Sequence, residues 1–298
     1  MREAHLRDLI AVIDNGSVRA AARKLGLSQS AISKNLSALE RSLGVPLLVR
    51  TPHGVEPTNY GRLVLRRARV VDTELRKLQE EIDDLAGESH ACVTIGLSAT
   101  VEAMLLAGAV TRFRQRNPDT LVSVMGGRSA STVAALREGK IDFAIGPLPQ
   151  GAQGNDLHFE RLLSSDLALV ARASHPLAAC TDLAALAQVA WISAVRQPHG
   201  DSPLAEAFAQ RGLPPPTIAA HCDSPSAMLY LLLSSDMLTL ASLNAVKPFC
   251  QPGLLAVLPI QIETSIVQHL ITSAQRPLTA AATALAAEFR KASRRFRR

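Results

Sequence analysis

Leu6, Leu9, Ile10 and Ile13 recur at helical spacing near the start of the chain, and Asn15-Gly16 closes that run. Ser17 is placed to cap a second helix whose inward positions are Val18, Ala21, Ala22 and Leu25. Gly26 permits a tight reversal, and Ser28 caps a third helix with one apolar stripe: Ile32, Leu36, Leu39 and Leu43. The opposite face of that helix carries Gln29, Ser30, Ser33, Lys34 and Ser37. A short alanine-rich helix, a glycine turn and a helix led by polar residues fit a helix-turn-helix. Ala20 to Ala22 are small enough for close helix packing, which lets the second helix of the pair lie in a DNA major groove with polar side chains at base edges. The plainer reading of the same stripes is an unspecialised three-helix bundle.

The period then changes. From Tyr60 to Leu85, apolar residues follow a heptad: Val64, Ala68, Val71, Leu75, Leu78, Ile82 and Leu85. Such a seam asks for a partner helix, either from a second chain or from the body of the same chain. Gly87 to His90 breaks the helix and marks a boundary. Beyond it, strands and helices alternate. Strands are expected at Ala91–Ser98, Thr120–Met125 and Lys140–Gly146, with helices reaching about Asn117 and spanning Ser129–Glu138. A second set follows, with strands at Trp191–Val195, Thr217–Ala220, Met237–Ala241, Leu254–Pro259 and Ile266–Thr272. Helices are expected near Ser202–Arg211, Pro225–Ser234 and Thr279–Ser293. The fold class is therefore α/β with an all-α head, and β-α-β order gives parallel strands whose ligand crevice lies beyond their C-terminal ends.

Charge adds a direction to this picture. The 298 residues carry a net charge of +6, but the first 71 hold twelve Lys or Arg against five Asp or Glu. Residues 72–88 reverse the sign and residues 89–287 are close to neutral, so one end is built to meet a polyanion. Tyr60 is the only aromatic residue in the first 88, which argues against stacking on single strands. The longest uncharged stretch, Pro248 to Ile262, is too short and too proline-rich to cross a bilayer. The N-terminus MREAHLRDLI lacks an apolar export signal, so a cytoplasmic protein is expected. Cysteines at 92, 180, 222 and 250 form no CxxC pair, and the eight histidines form no HxxxH pair, so no metal site and no cofactor are expected. GxSxG, GxGxxG and GxxxxGK[ST] are all missing, and the chain does not read as an enzyme.

The stretch GSVRAAARKLGLSQSAISKNLSALERSLGVPLLVRTPHGVEPTNYG, Gly16 to Gly61, resembles the N-terminal signature of LysR-type transcriptional regulators. Ala21, Ala22, Leu25, Ser28, Gln29, Ala31 and Ser33 carry the match; Ser30, His53 and Pro57 depart from it. The resemblance implies a winged helix-turn-helix over 1–58, a linker and dimerisation helix over 59–89, and an effector-binding domain over 90–298. That domain would have two Rossmann-like subdomains resembling type 2 periplasmic solute-binding proteins. They would occupy about 90–162 with 269–298, and about 163–268, with crossings near Leu162–Asp166 and Gln268–Thr272. It further implies a homodimer or homotetramer on double-stranded, dyad-symmetric operator DNA, with RNA polymerase a further partner to consider. Gln29, Ser30, Ser33 and Lys34 would meet the DNA, and Arg50 would serve the wing.

The loops at the expected strand ends are rich in hydroxyls: Ser98 and Thr100, Ser129, Ser131 and Thr132, Ser224 and Ser226, and Ser242 with Asn244. Free N–H groups at helix starts favour an anion, although capping explains any one of these serines alone. By position in the family, Ser98, Thr100, Ser129, Pro147 and the loop holding Arg196 and His199 would touch a small effector, expected to be an aryl carboxylate or sulfonate. The alternative on the same scaffold is a cysteine-based redox sensor using Cys222.

Overall fold

The computed structural model describes residues 2–51, 54–85, 91–127, 129–149, 155–194, 202–250 and 253–296, without the side chains at 50, 80, 81, 84, 85 and 129. Its contacts divide into two compact units, residues 1–91 with 134–140, and residues 92–133 with 141–298.

The first unit starts with α1 (Glu3–Asp14), α2 (Val18–Leu25) and α3 (Gln29–Leu43). The side chains of Ser17 and Ser28 accept from the amides of Ala20 and Ala31, fixing where α2 and α3 begin. Gly26 and Gly44 end them at φ +66° and +70°, a region open to glycine without strain. Leu9, Val12, Ala21, Ile32, Leu36, Leu39 and Leu47 form the core. Asp8, buried on α1, accepts a 2.7 Å hydrogen bond from Asn35 Nδ2 and ties α1 to α3. Leu25 and Leu43, expected inside, are exposed because each is the last residue of its helix and the chain turns away after it.

A two-stranded antiparallel wing follows, β1 (Leu48–Thr51) and β2 (Gly54–Pro57), so the head is not purely α. Thr58 Oγ1 accepts from the amide of Gly61 at the start of α4 (Asn59–Leu85). Gly61 packs so tightly that a Cβ there would lie 2.0 Å from the Leu47 carbonyl oxygen. Val64 and Ala68 of the heptad seam pack onto the helical core of the head. Val71, Leu75, Leu78 and Ile82 remain exposed within the chain.

The second unit contains β3 (Cys92–Leu97), α5 (Ala99–Val101), a π-helical turn (Glu102–Leu106) and α6 (Ala107–Arg114). Then come β4 (Leu121–Gly126), α7 (Ser129–Arg137, which straddles the two units), β5 (Phe143–Gly146) and the long β6 (Leu157–Arg172). The remaining elements are β7 (Ala190–Ser193), α8 (Pro203–Ala209), β8 (Thr217–His221), α9 (Pro225–Ser234) and β9 (Leu238–Ser242). They are followed by α10 (Leu243–Cys250), β10 (Leu255–Val257), β11 (Ser265–Ser273) and α11 (Ala280–Ser293).

Hydrogen bonding orders the strands β4-β3-β5-β11-β6-β9-β7-β8, with β10 also on β6. β3 is parallel to β4 and β5, and β7 is parallel to β8 and β9. The two parallel sets are joined by antiparallel β6 and β11, which pair from Leu157↔Ser273 to Asp166↔Ser265. One residue later Leu167 pairs with Ser242 of β9. β6 thus leaves one lobe for the other at Asp166–Leu167. Each lobe has its own core. Phe113, Phe143 and Phe289 centre the first, with the Phe143 and Phe289 rings edge to face at 6.1 Å. Trp191 and Phe208 centre the second at 5.7 Å.

Glu288 is 5% exposed at the rim of the first core. Its carboxylate accepts from Lys291 Nζ at 2.7 Å, Arg112 Nε at 3.0 Å and Arg116 Nη1 at 3.4 Å. The Lys291 hydrogen bond, and then Arg112, hold its carboxyl below the ordinary 4.5 against the opposing effect of burial. The stabilisation is fully present above 4.5 and fades as pH falls through the lower folded value. Urea midpoints between pH 6 and 3 check this: the acid limb should be steeper in the native chain than in Glu288→Gln. Equal limbs would remove Glu288 from the acid response.

Candidate functional site

The first candidate surface is the start of α3. Gln29, Ser30, Ser33 and Lys34 are all exposed there, while Ile32, Leu36 and Leu39 are buried on the other side. A 3.6-residue period produces this division, since anchoring one face leaves the intervening residues outward. Ser30 Oγ lies 3.0 Å from Ser28 Oγ, so the first turn is stiffened by its own hydroxyls. Arg50 lies in β1 of the wing, its side chain among those not described, and His53 falls outside the described residues. Exposed polar side chains at a helix N-terminus, on a head stiffened by caps and a buried Asp8–Asn35 clasp, have the form of a major-groove reader.

The second candidate site lies at the C-terminal ends of β3, β4 and β5. Ser98 caps α5, and its amide donates to the Ile145 carbonyl of β5 at 2.9 Å. Thr100 and Pro147 are half-buried at the same end of these strands. Ser129 is the first residue of α7, with its side chain not described; Arg196 and His199 fall outside the described residues. The other hydroxyls divide. Ser224 and Ser226 are exposed, 2.9 Å apart, with Ser224 capping α9, so local capping accounts for them. Thr132 is buried against Gly96. Ser242 is buried and shares a 2.6 Å hydrogen bond with Ser165 where β6 passes to the second lobe.

Three groups here had no signal in the sequence. Gln268 of β11 is fully buried, and its Oε1 accepts from Ser98 Oγ at 2.8 Å. His269 beside it is held below the ordinary imidazole range by burial first and by Arg161 second, which favours its neutral form. Glu102 in the π-helical turn is raised by desolvation, and its Oε1 is 2.8 Å from where a Cβ on Gly126 would stand. A side chain at the end of β4 would displace that carboxylate. Ser98, Thr100 and Gln268 are thus neutral hydroxyls and an amide, and Glu102 brings a carboxyl to the end of β4.

Cys222 is buried, its Sγ 3.4 Å from the Ser224 carbonyl, and all four cysteines are free thiols. Among the described residues no group of three His, Cys, Asp or Glu is arranged to hold a metal ion, and no helix is long and apolar enough to cross a membrane.

A winged helix-turn-helix and a two-lobed α/β unit with a crevice at its strand ends define a DNA-binding regulator with an effector domain. Residues 4–62 match the bacterial regulatory helix-turn-helix protein, lysR family, and residues 86–294 match the LysR substrate binding domain. The chain belongs to the LysR family of transcriptional regulators. It is 30% identical to the HTH-type transcriptional regulator GbpR of Azospirillum brasilense over 97% of this chain and 86% of that one. It is 29% identical to TdcA of Escherichia coli over 89% of this chain and 84% of the relative. Among solved structures, CbnR, a LysR family transcriptional regulator, superposes with a TM-score of 0.70 at 21% identity, over 98% of this chain and 99% of that one. CbnR bound to its target DNA gives 0.68 at 22% identity, over 99% of each.

Proposed function

We propose that this regulator acts in the cytoplasm as a homodimer, assembled further into a homotetramer, on a dyad-symmetric operator. Its effector would be a small organic anion, an aryl carboxylate or sulfonate, held between the lobes of the second unit. The observation that carries the DNA part is the exposed quartet Gln29, Ser30, Ser33 and Lys34 at the start of α3. The exposed apolar residues of α4 support the dimer, since a bare seam of this length is unfavourable in water. The joining of both lobes through β6 and β11 supports the regulatory part: a ligand bridging the lobes shifts the population of their relative orientations. RNA polymerase is the partner through which such a shift would reach transcription.

Gln29→Ala should lower discrimination between operator and scrambled DNA by about 1–3 kcal/mol, measured by titration at fixed salt. If both DNAs weaken equally, Gln29 does not read bases. For the effector, thermal unfolding of the full chain against benzoate, benzenesulfonate, aliphatic carboxylates and phosphate is the direct test. A ligand at 100 times its dissociation constant adds roughly 2.7 kcal/mol, raising the midpoint of the effector unit by about 5–10 °C. No shift with any anion would remove the effector class proposed here.

A further inference from the structure

The side-chain amide of Gln268 is fully buried, and among the described residues its hydrogen bonding is half complete. It sits where β11 leaves its lobe, at 0% exposure, and the register between β11 and β6 slips between Gln268 and His269. A bulge of this kind re-aims side chains, and such irregularities collect at functional sites. Oε1 is satisfied by Ser98 Oγ at 2.8 Å, whereas Nε2 has no hydrogen-bond partner. A buried donor left unpaired is costly, and native structures hold few of them without a reason.

Ser98 gives that reason a direction. Its hydroxyl has a single proton, and that proton points at Gln268. One of its lone pairs already accepts from the Val101 amide at 3.4 Å. Ser98 therefore has no donor left for the oxygen of an anion. What it does instead is fix the amide plane of Gln268, which leaves the two N–H bonds of Nε2 free as donors. Arg161 acts on His269 next to it, and Glu102 lies against Gly126 at the end of β4.

We propose that Gln268 is the residue that recognises the acceptor oxygen of the effector, with Ser98 a positioning residue that acts through it. This rests on the reading of the crevice as an anion-effector site. Gln268 is fully buried, so an acceptor oxygen reaches its amide only with a local rearrangement of the groups that cover it. A neutral amide selects an acceptor oxygen without a full counter-charge, which favours a monoanion over a phosphate.

The experiment uses the full chain and the variants Gln268→Met, Ser98→Ala and the double variant. Thermal unfolding is recorded alone and with benzoate, acetate, methanesulfonate or inorganic phosphate. Gln268→Met keeps the length of the side chain and removes the unpaired donor. Because it also takes the acceptor from Ser98, its ligand-free effect is read in the Ser98→Ala background, where the added Gln268→Met should raise the midpoint by about 2–4 °C, the direction expected when an unsatisfied polar group is replaced by an apolar one of similar shape. It should also weaken the anion that stabilises the native chain by about tenfold or more. Ser98→Ala should weaken the same anion in the native background and have no further effect in the Gln268→Met background, the coupling expected of one residue acting through another. Two results overturn the proposal. One is a midpoint that falls when Gln268→Met is added to Ser98→Ala, the sign of an amide completed by a buried water. The other is additive losses, which would place Ser98 itself on the ligand. If none of the four anions shifts the native chain, the anion reading fails separately. The ligand-free midpoints of Ser98→Ala and the double variant then decide alone, a rise keeping the uncommitted donor and a fall removing it.

Discussion

Replacing Leu75 and Leu78 by arginine together should leave a folded monomer whose operator affinity is lower by about 10²–10⁴-fold, the range lost when two linked heads become two separate ones. These side chains are 37% and 55% exposed within the chain, and Val71 and Ile82 continue the same stripe. The earlier part of the heptad is already used: Val64 and Ala68 pack onto the head. The seam thus changes role along its length, holding the head first and offering a surface afterwards. Charges at the second part remove the partner helix and spare the head core. Sedimentation and operator titration at fixed protein concentration check both halves. A variant that stays dimeric would assign the dimer to another surface. A monomer with unchanged operator affinity would show that one head suffices.

Trp191→Ala should cost about 3–5 kcal/mol, which for a unit of this size lowers its unfolding midpoint by roughly 6–20 °C. Trp191 is the only tryptophan, is fully buried, stacks edge to face with Phe208 and donates from Nε1 to the Leu186 carbonyl at 3.3 Å. Truncation opens a cavity between β7 and α8 and leaves that carbonyl without its donor. Trp191→Phe should lose less, because it keeps a ring against Phe208. Unfolding followed by circular dichroism checks both, since the native fluorescence reporter is itself removed. A loss below about 1 kcal/mol would mean that the second lobe repacks around the gap.

The misses in the sequence reading share a cause. Helix α10 was not expected because Pro248 falls inside it and Ser242–Asn244 reads as loop. β6 was legible only as a crossing, since Glu160, Arg161 and Asp166 interrupt its apolar run. Its first half buries Leu157, Leu162 and Leu163 and its second half Leu169, Val170 and Ala171; the two halves serve different lobes, and that pattern has no single period.

What the sequence by itself determined is the order of elements and the caps that start them. Ser17, Gly26, Ser28 and the stripe Ile32, Leu36 and Leu39 are local signals, read over a few residues, and they place the polar start of α3 outward. The heptad of α4 and the β-α-β alternation are local in the same sense. Only the tertiary structure decided which seam residues are covered, which hydroxyls are caps and which face the crevice. It alone joined Ser98 to Gln268 across 170 residues, and Arg112 to Glu288 across 176. A side chain's own neighbourhood in sequence fixes its direction on a helix or strand. Whether its hydrogen bonds are complete depends on what the fold brings opposite it.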